Sequence, residues 1–125
     1  MSHFTTIQTQ IKDIEALREA CTELGLELLP NAEARGYGST THRGDLVIRL
    51  RGPYDVALNR QPDSSYGLTT DWWDGHVEKE VGGNYGRLLQ LYAVHKTARE
   101  ARKRGLSVQR TLRTDGSIKL TLGGL

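Results

Sequence analysis

The stretch Asp45-Leu46-Val47-Ile48-Arg49-Leu50-Arg51, followed by Gly52-Pro53 and then by Tyr54-Asp55-Val56-Ala57-Leu58-Asn59, decides the fold. The first segment is rich in β-branched and apolar residues and reads as a strand. Gly52-Pro53 turns the chain. The second segment sets Tyr, Val and Leu against Asp, Ala and Asn at alternate positions, the period of a second strand. Gln61-Pro62-Asp63-Ser64-Ser65 supplies a further turn, and Tyr66 to Trp73 reads as a third strand returning antiparallel.

Upstream, residues 36–44 are a loop by composition. Leu26-Glu27-Leu28-Leu29 begins a strand that Pro30-Asn31 is expected to interrupt. Ile14, Leu17, Cys21 and Leu24 recur at spacings of three and four, the apolar stripe of a helix. Asp13 is its expected N-cap and Gly25 its left-handed stop. A loosely alternating strand over residues 3–11 precedes it. Downstream, Asn84 is expected to cap a second helix running to about Arg104, with Leu88, Leu91, Tyr92, His95, Ala98 and Ala101 on its inner face. Leu106 to Leu112 and Ile118 to Leu122 flank Thr114-Asp115-Gly116, a hairpin signature.

The order is therefore β, α, several β, α, ββ. The fold class is α+β: two helices packed on one face of a mostly antiparallel sheet. A ferredoxin-like arrangement is the named candidate within that class.

The bulk properties narrow the function. A chain of 125 residues fits one domain, 1–125. No apolar run approaches the length of a membrane span, and the polar N-terminus has no signal-peptide core. Cys21 is the single cysteine, so neither an internal disulfide nor a cysteine-built zinc or iron–sulfur site is available. The expected compartment is the cytoplasm. The net charge of +2 is mild, so only the distribution of charge is informative.

Candidate chemistry is sparse. His3, His42, His76 and His95 show no metal-ligand spacing, so no metal site and no cofactor are assigned. His95 falls on the inner helix face, where a hydrogen-bonded core histidine is the commoner role. Cys21 sits on an apolar stripe, the setting of a small hydrophobe rather than a nucleophile. Asp71, Asp74, Glu78 and Glu80 gather around Trp72-Trp73. Neighbouring strand positions face opposite ways, so one tryptophan is expected to be buried and the other exposed as an interface anchor, with Asp71 and Asp74 as a polar rim. Gly82-Gly83 and Gly86 lack the strand context of a dinucleotide loop. From Arg87 to Arg113, eight basic residues face the single acid Glu100. Arg99, Arg102 and Lys103 in that stretch are the candidate contacts to nucleic-acid phosphates, against the commoner role of a solvated helix face.

Met1-Ser2-His3-Phe4-Thr5-Thr6-Ile7 with Gln10-Ile11-Lys12-Asp13, and Leu91-Tyr92-Ala93-Val94-His95-Lys96 with Asp115-Gly116-Ser117-Ile118-Lys119-Leu120, carry a likeness. The chain resembles the hypothetical chloroplast reading frame thirty-five family of cyanobacteria and plastids. Asp71-Trp72-Trp73-Asp74 fits that pattern only loosely, and Leu122-Gly123-Gly124-Leu125 departs from it. The resemblance implies a domain of no assigned chemistry, in the cytosol or plastid stroma. Larger partners such as an AAA-type ATPase or a ferredoxin-type protein are associated with the family.

The reading that joins these observations is a non-catalytic protein-interaction or adaptor module, with Asp71, Trp72, Trp73, Asp74, His95, Arg99, Arg102 and Lys103 as candidate binding residues. The alternatives are a nucleic-acid-binding protein using the basic second helix and a small enzyme using His95.

Overall fold

A computed structural model describes residues 3–124. Met1 and Ser2, which figure in the likeness, and Leu125, in the tail that departs from it, lie outside the described residues. The elements are β1 (Phe4–Gln8), α1 (Ile14–Leu24), β2 (Glu27–Arg35), β3 (Thr41–Arg49), β4 (Val56–Arg60), β5 (Tyr66–Asp71), α2 (Glu78–Val81), α3 (Gly86–Lys103), β6 (Ser107–Leu112) and β7 (Ile118–Gly123). Single 3₁₀ turns at Trp73–Gly75 and Gly83–Tyr85 flank α2.

Five strands form one sheet in the order β1-β5-β4-β3-β2, and β6-β7 form a separate two-stranded sheet. Every neighbouring pair is antiparallel. This is the expected α+β class, but its strands form a meander with β1 added at the end. The parallel neighbours of a split βαβ unit are absent among the described strands, so the ferredoxin-like arrangement is not the one adopted.

Ile48, Val56, Leu58 and Leu68 project from one sheet face into a core shared with Ala16, Leu17, Ala20 and Cys21 of α1 and Leu88, Leu91 and Tyr92 of α3. The buried residues of each helix lie on one stripe, as the spacing predicts. Asp13 caps α1 by accepting the Ala16 N–H at 3.1 Å. The Tyr92 hydroxyl, itself nearly buried, accepts the N–H groups of Lys12 and Asp13 at 3.1 and 3.0 Å, which pins the start of α1 to α3. Both long helices end in one hydrogen-bond pattern: Leu26 N–H to the Cys21 carbonyl beyond Gly25, and Leu106 N–H to the Ala101 carbonyl beyond Gly105.

The strand limits differ from the sequence reading for local reasons. β1 ends at Gln8 because the Thr9 hydroxyl donates to the Tyr66 carbonyl at 2.7 Å and leaves the ladder. β2 runs through Pro30 and a left-handed Asn31 instead of breaking there; as an edge strand it has no partner on that side for the missing proline donor. The loop is shorter than residues 36–44, since Thr41 to Gly44 pair with β2. β5 stops at Asp71, whose carboxylate accepts the Trp73 N–H at 2.9 Å and turns the chain. Trp72 and Trp73 are therefore not strand residues. Asn84 does not cap α3: Asn84 and Tyr85 are both left-handed and no side chain caps the helix.

The second sheet face is covered as well. Residues 35 and 50 lie near opposite ends of the β2–β3 ladder, yet Arg35 N–H and Leu50 N–H both donate to the Asp55 carboxylate, at 2.9 and 3.1 Å. The distal half of the hairpin must curl back over the sheet for both bonds to form. Ala34 then buries against Val47 and Ala57. Gly36 lies so close to the Phe4 ring that a Cβ there would meet its Cζ at 2.5 Å.

Candidate functional site

The curled hairpin brings together groups that are distant in sequence. Its tip, residues 36–40, arrives beside the chain leaving β5. Asp71 joins the two: its Oδ2 accepts the Tyr37 N–H and its Oδ1 the Trp73 N–H, both at 2.9 Å. Asp71 is fully buried. It is a clamp between two loops, not the solvated rim residue expected from sequence.

Around this clamp stand three rings. His3 stacks on Trp73 at 5.4 Å and 15°. Tyr37 meets both edge-on, at 5.4 Å from His3 and 5.8 Å from Trp73. Trp73 is 51% exposed and Tyr37 43%. Trp72 turns the other way, is half-buried, and packs on the buried Tyr85 ring at 4.8 Å. The two tryptophans thus diverge by way of a turn through the left-handed Asp74 and Gly75, not by strand alternation. Asp74 is open to solvent and lies 3.7 Å from His76.

Next to the rings is a recess of about 390 Å³ lined by Arg35, Gly38, Thr40, Tyr54 and His76. Arg35 is fixed there by Nε and Nη2 bonds of 2.8 Å to the buried Asp55, and by the Gly52 carbonyl at 2.9 Å. Tyr54 rests edge-on against His76 at 5.0 Å. Burial, followed by the nearby Asp71 carboxyl, holds the Tyr54 hydroxyl above its ordinary range.

The other candidate residues lie elsewhere. Glu80 accepts the N–H groups of Arg51 and Gly52 at 2.8 and 3.0 Å, so it holds the β3–β4 turn and does not converge with Asp71, Asp74 or Glu78. Among the described residues no three His, Cys, Asp or Glu side chains stand as a metal-holding group. Gly82 is required by packing, since a Cβ would lie 2.7 Å from the Arg87 nitrogen at a positive φ. Cys21 is buried, and burial pushes its thiol up to about 12.

His95 joins a network across α1, α3 and the β6–β7 hairpin. Its Nε2 is 2.8 Å from Glu23, and its Nδ1 is 3.7 Å from Glu19. Glu23 also accepts two bonds from Arg110, at 2.9 and 2.6 Å. Arg110 first, and His95 with it, hold the Glu23 carboxyl down to about 2, against the opposing effect of burial. Arg99 bonds Glu19 at 3.0 Å and faces Asp13 at 3.7 Å. Within the basic stretch Lys96 pairs with Glu100, Arg99 with Glu19 and Arg110 with Glu23, while Arg87, Arg102, Lys103, Arg104 and Arg113 have no ion-pair partner among the described residues.

Sequence reasoning placed Tyr37 only in a loop and did not join it or His3 to Trp73, because no local signal announces that a hairpin tip will reach β5. No described helix is long and apolar enough to cross a membrane.

No solved structure matches this chain. A protein of Pyropia yezoensis, "Uncharacterized protein ycf35", is 34% identical over 96% of this chain and 94% of its own length. One of Guillardia theta with the same description is 29% identical over 98% of this chain and 96% of its own. The family model described as "Protein of unknown function (DUF1257)" matches residues 20–121, and the chain belongs to that family.

Proposed function

We propose that the chain is a non-catalytic protein-interaction module whose contact surface is the Trp73–Tyr37–His3 cluster. One observation carries the reading: two large aromatic rings stand about half exposed, held in place by a fully buried carboxylate that bonds the backbone beneath both. Tryptophan and tyrosine are enriched among residues that dominate binding energy. A platform already fixed in the free protein loses little further freedom on binding. The solvent-facing Asp74 beside it would favour a basic contact on the partner. A larger partner of the AAA-type ATPase or ferredoxin type belongs to this proposal, as does a cytosolic or stromal location, checked by cell fractionation. The experiment is affinity capture from the native host with wild-type protein and with Trp73→Ala, each matched by a thermal melt. Loss of a captured protein at unchanged melting supports the reading; unchanged capture overturns it.

A second reading, nucleic-acid binding by α3, rests on the unpaired Arg102 and Lys103. Arg99 is already committed to Glu19. Binding of this kind falls steeply with salt. A gel shift at low salt with Arg102→Glu/Lys103→Glu as control tests it, and no complex with wild type removes it. The enzyme reading, centred on His95, gains no support from the site: both ring nitrogens face carboxylates in a tie between elements.

A further inference from the structure

The sheet has two end strands, and they are built differently. β2 carries Glu27, Glu33 and Arg35, together with Pro30 and the left-handed Asn31. Charge, proline and backbone distortion are the devices that keep an edge from pairing with another chain. β1 has none of them. From Phe4 to Ile11 the chain reads Phe-Thr-Thr-Ile-Gln-Thr-Gln-Ile without a charge, and Thr5 to Gln8 are exposed. Among the described strands β1 pairs only with β5.

A groove of about 430 Å³ runs beside this edge, lined by Ile7, Ile11, Leu89, Tyr92, Ala93 and Lys96. Ile7 is 39% exposed into it. Ile7 and Thr5 pair with Leu68 and Thr70, so they share the helix-facing side of the strand. An added strand would therefore pair with β1 through its backbone and seat alternate side chains in the groove.

We propose that this edge is a self-association surface, on which β1 of a second copy pairs antiparallel about a two-fold axis at Thr6. In that register Thr6 faces Thr6 and Ile7 of each copy faces Thr5 of the other. No like charges meet, and threonine pairs opposite one another are favourable. On the helix side the partner's Thr5 lies against Ile7 at the mouth of the groove, and its Ile7 is diagonal to that position, opposite Thr5. The contact is isologous, so it closes on itself. The guarded β2 edge stops further strand addition, which limits assembly to two copies and prevents a growing ribbon.

Sedimentation equilibrium across micromolar concentrations, with amide hydrogen exchange at residues 5–8, tests this on the full chain. Wild type is expected to sediment as a dimer with slowed exchange at the edge. Ile7→Lys places a charge at an exposed edge position, and Ala93→Arg fills the groove from the exposed face of α3. Each is expected to raise the dimer dissociation constant at least about tenfold, with an unchanged thermal melt at concentrations where both proteins are monomeric. A wild-type monomer, a dimer that survives both substitutions, or an open-ended series of oligomers would each overturn the proposal. A monomer whose edge amides become protected only in host extract would assign the edge to a foreign strand, and would also overturn self-pairing.

Discussion

Replacing Asp71 with Asn tests whether the aromatic cluster is held from beneath. The carboxylate is fully buried and its two oxygens accept one backbone N–H each, from Tyr37 and Trp73, at 2.9 Å. An amide of the same shape keeps one acceptor oxygen and turns an NH₂ toward the other N–H. One charge-assisted bond, worth about 1.5–3 kcal/mol, is then lost, and the surviving bond drops to the neutral range, about 0.5–1 kcal/mol lower. The expected destabilisation is about 2–4 kcal/mol. At roughly 4 °C per kcal/mol for a chain of this size, the melting temperature falls by about 8–16 °C. Thermal and urea denaturation measure this directly. Acrylamide quenching provides a second readout, because the freed loop leaves Trp73 more accessible while Trp72, packed on Tyr85, keeps its environment. A melt within about 2 °C of wild type, with unchanged quenching, would refute the clamp.

Leu91→Ala removes a buried contact between α3 and the shared core, and should cost about 2–5 kcal/mol by urea denaturation. Asp55→Ala strips the bidentate partner from Arg35 and the acceptor from Leu50 N–H. It should cost about 3 kcal/mol and release the hairpin tip, read as faster exchange of amides 36–40. The Glu23 carboxyl is depressed from 4.5 to about 2 by Arg110 and His95. Its contribution to stability is therefore fully present above the ordinary value and lost as pH falls through that window. Glu23→Gln should flatten the acid limb of the melting-versus-pH curve there, and an unaltered limb would show that the tie contributes nothing.

The local elements were largely legible. Helix limits followed from Asp13, Gly25 and Gly105, whose capping roles are set by near neighbours. The β3, β4 and β5 meander followed from alternation and turn residues. What escaped was decided over long range. Nothing near Arg35 signals that it will bond Asp55, and the curl that achieves this lays Ala34 on the sheet face that carries no helix. Asp71 looked like a surface acid because burial of a carboxylate depends on two backbone donors supplied by different loops. Trp73 stands exposed, but the strand argument had the wrong cause: β5 ends two residues earlier, at Asp71, whose side chain turns the chain. His3 and Tyr37 join Trp73 only once the hairpin has folded over.

The most direct test of the central claim is quantitative capture of host proteins by Trp73→Ala relative to wild type, with both proteins melting at the same temperature. If the aromatic cluster is the contact surface, a protein held by wild type is lost by about thirtyfold or more, the effect of removing a dominant interface side chain worth about 2 kcal/mol. Equal capture by the two proteins, or no protein retained by wild type, would contradict it.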